Sequence, residues 1–233
     1  MKGKLYGVSI GPGDPELLTL RSKRILEECD VIGYPVKEKG ERSTALSIID
    51  GIIDLDGREI REFVFSMDPN DSVRRGYERV VVSEVIPILE QGKDVALITL
   101  GDAGIYSTYM YVDQAVRGAG YESEIVPGIN SFTFGASKAG LPLVMGDEGL
   151  CVVPMAKDRD DLLIDALRNF ENVVIMKAFK SMAKVSEIME SCGVPLTSAT
   201  VLSNVGMSNE YIGPLDVDRD YSYFTTILIK RSV

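Results

Sequence analysis

Two periods of apolar residues alternate along this chain, and each change of period marks an element. Short apolar runs bounded by turn residues read as strands at Leu5–Ile10, Asp30–Tyr34, Glu59–Phe65, Val95–Leu100 and Ser123–Val126. Helical spacing fills the gaps. Thr19 is placed to cap a helix to about Cys29, with Ser22, Ile25, Leu26 and Cys29 on one face. Ser43 or Thr44 opens a second, carrying Leu46, Ile48 and Ile49. Asp71 or Ser72 opens a third, whose stripe runs Val73, Tyr77, Val80, Val81, Val85, Ile88, Leu89. Pro87 lies inside that stripe and predicts a kink or an end there.

The second half repeats the grammar on a smaller scale. A turn at Pro127-Gly128-Ile129-Asn130-Ser131 leads into a helix to about Ala139. Strands are expected at Leu150–Pro154, Asn172–Lys177, Ala199–Ser203 and Phe224–Lys230, and helices at Asp158–Phe170 and Ser181–Cys192. Strands alternating with helices in both halves predict α/β layers, with a largely parallel sheet in the first half. Turn density places a boundary near Gly128–Gly140, dividing the chain into 1–128 and 129–233.

The run Val95–Tyr106 stands apart. A buried strand breaks into Gly101-Asp102-Ala103-Gly104 and recovers as a helix from about Ile105. Open α/β sheets place ligands at the carboxyl ends of their strands. Glycine lets backbone approach a ligand, and Asp102 brings two acceptor oxygens. The other reading makes Asp102 the helix N-cap. Near the N-terminus, Gly11-Pro12-Gly13-Asp14-Pro15-Glu16 only superficially resembles a dinucleotide fingerprint. Glu16 replaces the third glycine, and two prolines remove N–H groups that a phosphate cradle needs.

Composition narrows the chemistry. The 233 residues are 45% hydrophobic and 26% charged, as in an ordinary globular chain. No apolar run reaches the length of a membrane span and the N-terminus lacks a signal-peptide pattern, so a cytoplasmic chain with no membrane partner is expected. A net charge of −10 argues against a nucleic-acid partner. Cys29, Cys151 and Cys192 fit neither a disulfide framework nor a zinc motif and are expected to be buried apolar residues. There is no histidine, which excludes Ser-His-Asp and Cys-His catalysis and every His-ligated metal site.

Three stretches, in this order and spacing, resemble the tetrapyrrole (cobalamin and siroheme) methyltransferase family over essentially the whole chain. They are Gly11-Pro12-Gly13-Asp14-Pro15-Glu16-Leu17-Leu18-Thr19-Leu20, Gly101-Asp102-Ala103-Gly104-Ile105-Tyr106 and Pro127-Gly128-Ile129-Asn130-Ser131. Asp30-Val31-Ile32-Gly33-Tyr34-Pro35-Val36 looks most like the branch that methylates C20 of precorrin-2 or cobalt-factor II. Ser9 departs from the usual glycine, and Ala103 stands where many relatives have proline.

The resemblance implies a bilobal class III methyltransferase fold. The N-terminal lobe would have a largely parallel sheet and the C-terminal lobe a mixed one, with the active-site cleft between lobes. It implies a homodimer and an S-adenosylmethionine-dependent C-methyltransferase of cobalamin and porphyrin biosynthesis that releases S-adenosylhomocysteine and uses no protein-bound metal. By position, Pro12, Leu100, Gly101, Asp102, Ile105, Asn130, Ser131, Met176 and Val205 match cofactor contacts, with Tyr106, Thr225 and Thr226 as weaker matches. Met176 also reads as core. Asp102 is a conceivable acceptor of the C20 proton, with cofactor binding its main expected role.

The substrate bears many carboxylates, so cations should line its trough: Lys37, Lys39 and Arg42, then Arg74 and Arg75, then Lys177 or Lys180. Tyr34, at a strand end beside a proline, is placed to stack on or hydrogen-bond to the ring. A cobalt-bearing substrate is favoured. Methylation at another ring position, as on uroporphyrinogen III, and diphthine synthesis are the alternatives within the fold.

Overall fold

The computed structural model describes residues 2–36, 38–41, 43–65, 73–156 and 158–231, and of Val73 and Arg74 the backbone alone. The chain separates into two compact units, residues 1–130 and 131–233.

The first unit is built on β1 (Leu5–Ser9), β2 (Val31–Val36), β3 (Glu59–Val64), β4 (Val95–Thr99) and β5 (Ser123–Val126). Among the described residues they form one sheet in the order β3-β2-β4-β1-β5. Every neighbouring pair is parallel, with Leu5 opposite both Val95 and Ser123. Side chains alternate across this sheet. Leu5, Val95 and Leu97 pack on one face with Tyr109, Val112 and Val116; Val8, Ala96 and Ile98 pack on the other with Ile25, Leu26, Ile48 and Ile49. Both faces are therefore covered, which is why the strands read as continuous apolar runs.

The helices follow their local signals. Helix α1 (Leu20–Glu28) is capped by the Thr19 hydroxyl, which accepts from the Ser22 N–H, and α2 (Thr44–Ile49) by Ser43. The third predicted helix continues past Pro87, where a kink or an end was expected. Helix α3 (Val73–Val80) widens into a π-helical turn at Val81–Val85, and α4 (Ile86–Glu90) follows with Pro87 in its first turn. Ile86 N–H reaches back to the Val81 carbonyl, so the chain enters Pro87 through a wide turn that tolerates the missing N–H. The residues expected to cap α3, Asp71 and Ser72, lie outside the described residues.

Helix α5 (Tyr109–Gly118) starts four residues later than expected. Tyr106 takes a left-handed backbone (φ 48°), which cannot belong to a right-handed helix. Tyr109 packs over β1, where Gly7 leaves room; a Cβ at Gly7 would overlap the Tyr109 ring.

The second unit contains α6 (Ser131–Lys138), β6 (Leu150–Pro154), α7 (Asp160–Asn169), β7 (Asn172–Met176), α8 (Met182–Ser191), β8 (Ala199–Ser203), β9 (Tyr211–Pro214) and β10 (Thr225–Lys230). Its sheet is mixed, ordered β6-β7-β10-β8-β9, with β6 and β7 parallel and β10 antiparallel to both neighbours. Val173, Ile175, Val201 and Ile227 pack beneath α7 and α8. On the other face Gly135 of α6 lies so close to Leu202 that a Cβ would fall 2.6 Å from it. Cys29 is buried, as expected, while Cys151 on the edge strand β6 and Cys192 at the end of α8 are only half-buried.

Candidate active site

Strand order fixes where the first unit can hold a ligand. The chain leaves β1 toward β2 and leaves β4 toward β5, in opposite directions across the sheet. The crevice at the carboxyl ends of β1 and β4 is thus the topological switch point. Pro12, Leu100, Gly101 and Asp102 follow those two strands, and Asn130 follows the adjacent β5.

The three strand ends are stitched together. Gly101 N–H donates to the Gly11 carbonyl at 2.7 Å. Asp102 caps no helix. Its Oδ1 accepts from Gly104 N–H at 2.8 Å and its Oδ2 from Gly128 N–H at 2.7 Å, tying the β4 loop to the β5 loop. Ser9, fully buried, donates from Oγ to the Val126 carbonyl at 2.6 Å and accepts from Ala103 N–H at 2.8 Å. Gly128 fits only because it lacks a side chain, since a Cβ there would overlap Ser9 Cβ. Ser9 thus has a structural role that its residue type alone did not reveal.

What remains open at these tips suits a ligand with apolar and hydroxyl parts. Gly101 is itself buried, but a Cβ built on it (φ 74°) meets nothing within 4 Å, so there is space beside it on that side. Leu100, Ile105 and Asn130 are half-buried, Tyr106 is 41% exposed, and Pro12 is buried. Each Asp102 oxygen keeps acceptor capacity beyond its single N–H bond.

The second unit gathers its own group. Met176 ends β7 opposite Thr226 of β10, and Thr225 pairs with Ser203 at the end of β8. Val205 follows Asn204, whose N–H donates to the Phe224 carbonyl at 3.0 Å. Met176 is half-buried, whereas Val205 and Thr225 are buried. The Thr225 hydroxyl lies 2.7 Å from the Ser222 carbonyl and 2.9 Å from Ser203 Oγ, so its proton is held within the unit. Ser131 begins α6.

Backbone strain picks out the same places. Of four left-handed non-glycine residues among those described, Lys177 (φ 61°) and Asn204 (φ 50°) directly follow β7 and β8, Tyr106 (φ 48°) lies in the loop after β4, and Asp158 (φ 59°) lies in the loop after β6. Such conformations cost on the order of 1–2 kcal/mol and collect at functional sites.

The expected substrate residues fall in both units. Tyr34 lines a recess of about 610 Å³ with Ser43, Thr44, Ser47 and Asp50. Lys37, Arg42 and the Arg74 side chain lie outside the described residues. Lys39 is exposed, and Lys177 and Lys180 are exposed beyond β7. Among the described residues, no group of three or more His, Cys, Asp or Glu could hold a metal ion.

A doubly covered parallel sheet with a strand-tip crevice, followed by a mixed-sheet unit, defines a two-unit α/β chain. The family model of the tetrapyrrole (corrin/porphyrin) methylases matches residues 4–218, and the chain belongs to that family. It is 37% identical to a probable cobalt-precorrin-2 C(20)-methyltransferase of Methanocaldococcus jannaschii, covering 98% of this chain and 96% of the relative. It is 32% identical to a cobalt-precorrin-2 C(20)-methyltransferase of Salmonella typhimurium, covering 99% and 98%. The fold matches a uroporphyrin-III C-methyltransferase of Thermus thermophilus, solved with S-adenosyl homocysteine, at a TM-score of 0.67 and 18% identity, covering 98% and 97%.

Proposed function

We propose that this chain transfers the methyl group of S-adenosylmethionine to C20 of a reduced tetrapyrrole, cobalt-factor II or precorrin-2, during corrin-ring construction. The observation that carries this reading is the full-length likeness to two proteins named for that position of cobalt-precorrin-2. The names of both relatives favour the cobalt-bearing substrate.

When bound, S-adenosylmethionine supplies a methyl group on a cationic sulfur, an electrophile that needs no further activation. The electron-rich meso carbon of a reduced tetrapyrrole is already a nucleophile. The chain's own work is alignment for in-line displacement and exclusion of water. The open space beside Gly101, half-buried Leu100 and Ile105, and the spare acceptor capacity of Asp102 are the first unit's cofactor contacts in this proposal. Pro12, Tyr106 and Asn130 complete that set, and Ser131, Met176, Val205 and Thr225 are the second unit's contribution. We assign Asp102 to positioning, since both of its oxygens already hold loop N–H groups. The C20 proton then leaves to water. Tyr34, Lys37 and Arg42 are the proposed substrate contacts.

The same reading makes the protein a cytoplasmic homodimer. Val82 (65% exposed) and Tyr111 (43% exposed) give the first unit apolar surface of the kind a partner subunit covers. Among the described residues no helix is long and apolar enough to cross a membrane.

The test is a methylation assay with labelled cofactor, offering cobalt-factor II, precorrin-2 and uroporphyrinogen III side by side and locating the new methyl by NMR. A methyl at C20 is expected. Methylation of uroporphyrinogen III alone would overturn the substrate, and cofactor binding without any tetrapyrrole product would overturn tetrapyrrole methylation altogether.

A further inference from the structure

Beyond the end of β7 and before the start of β10 the second unit carries three aromatic rings, Phe179 half-buried and Tyr223 and Phe224 exposed. Phe179 and Tyr223 meet edge to face with centroids 5.4 Å apart, and Tyr223 meets Phe224 the same way at 5.5 Å. Tyr223 is 56% exposed and Phe224 38%. Burying such a side chain is ordinarily favourable, so a cluster left open to solvent is informative. The loops that carry it are held firmly. Ala178 is fully buried with its N–H toward the Thr225 carbonyl, and Asn204 N–H binds the Phe224 carbonyl. A cation flanks the rings: Lys180 Nζ stands 5.3 Å from the Phe179 centroid.

We infer that Phe179, Tyr223 and Phe224, with Lys180 beside them, form a binding platform for the macrocycle of a polycarboxylate tetrapyrrole. An apolar ring system with an anionic rim matches rings for its face and lysine for its carboxylates. The inference rests on the proposed function for the identity of the substrate, but it concerns binding and can be read without turnover. Uroporphyrin III, a stable polycarboxylate porphyrin, absorbs and emits in the visible, where no protein side chain does, so its fluorescence reports its binding.

In that titration the unaltered protein is expected to bind. Tyr223→Ala and Phe179→Leu should each weaken binding about tenfold, the scale of one or two lost ring contacts. Lys180→Gln should weaken it and flatten its dependence on salt. Calorimetric affinity for S-adenosylmethionine should stay unchanged in all three. Equal porphyrin affinity in Tyr223→Ala and Phe179→Leu, or no binding by the unaltered protein, overturns the platform. Loss of cofactor affinity instead would assign the rings to the cofactor and also overturn it. Failure of the C20 assay with porphyrin binding and its ring dependence intact would sink the proposed reaction and leave the platform standing.

Discussion

Asp102 illustrates how one side chain holds a site in shape. Its two oxygens satisfy N–H groups of Gly104 and Gly128, residues 2 and 26 positions away. Asp102→Asn turns one acceptor into a donor facing a donor. We expect a loss of about 1–3 kcal/mol in thermal or urea unfolding, the cost of an unsatisfied, partly buried amide. S-adenosylmethionine affinity by calorimetry should fall about tenfold as the β4 and β5 loops come apart. Unchanged affinity in a destabilised variant would limit Asp102 to a structural role. Cys29 makes a separate point about burial. Loss of water pushes its thiol from 9.0 up to about 12, with Asp94 and Asp30 adding to the shift. A raised acid pKa means the native state keeps its proton longer than the unfolded state. The thiol's contribution is whole below about pH 9 and is lost between about pH 9 and 12, at up to ~1.4 kcal/mol per pH unit. Tyr109, raised by burial from 10.0, joins only at higher pH. Urea melts of Cys29→Ala should therefore show a flatter fall in stability between pH 9 and 10 than the unaltered chain.

At the scale of elements, the loop after β8 carries Val205 and owes its shape to a residue that sequence reasoning did not single out. Glu210 Oε2 accepts from Gly206 N–H and from Lys138 Nζ of α6, both at 2.7 Å. Burial pushes this carboxyl up, but those two donors together bring it below the ordinary value. If Val205 contacts the cofactor, Glu210→Ala should weaken S-adenosylmethionine binding about fivefold, roughly the worth of one hydrogen bond. Glu210→Gln, which keeps an acceptor for Gly206, should recover most of the loss. Equal affinities in all three proteins would detach this loop from the site. Elements with strong local signals were legible: β5, β6 and β8 have the expected bounds, and Thr19 caps α1. The strand β9 was not, because Tyr211-Ile212-Gly213-Pro214 has little alternation and is a strand only through its pairing with β8. The late start of α5 was equally hidden, since nothing about a tyrosine announces a left-handed residue. Asp102 could be found because glycines flank it at a strand end, whereas its partner Gly128 and the hydroxyl of Ser9 act across distances that only the fold creates.

For the whole molecule, the open question is how a chain of net charge −10 takes an anionic ring. Range decides it. At physiological salt the Debye length is about 8 Å, so acidic groups far from the site are screened from the substrate, while cations touching its carboxylates are screened much less. Local lysines and arginines can therefore win against the global sign. The acidic surface then acts on encounter, slowing the approach of an anionic ligand at low salt, and the local cations act on residence. The two effects answer salt in opposite senses. Between about 50 and 500 mM NaCl the on-rate of a polycarboxylate tetrapyrrole should rise while its off-rate rises more, so that KM increases. Removing Lys37 and Arg42 together should raise KM strongly at low salt and reverse its salt dependence, so that KM falls with added salt, because the repulsion of the acidic surface then acts alone. Stopped-flow binding with steady-state assays across that range separates the terms. In the unaltered chain, a KM that falls with added salt would mean that the global charge dominates and that the cations named here do not hold the substrate.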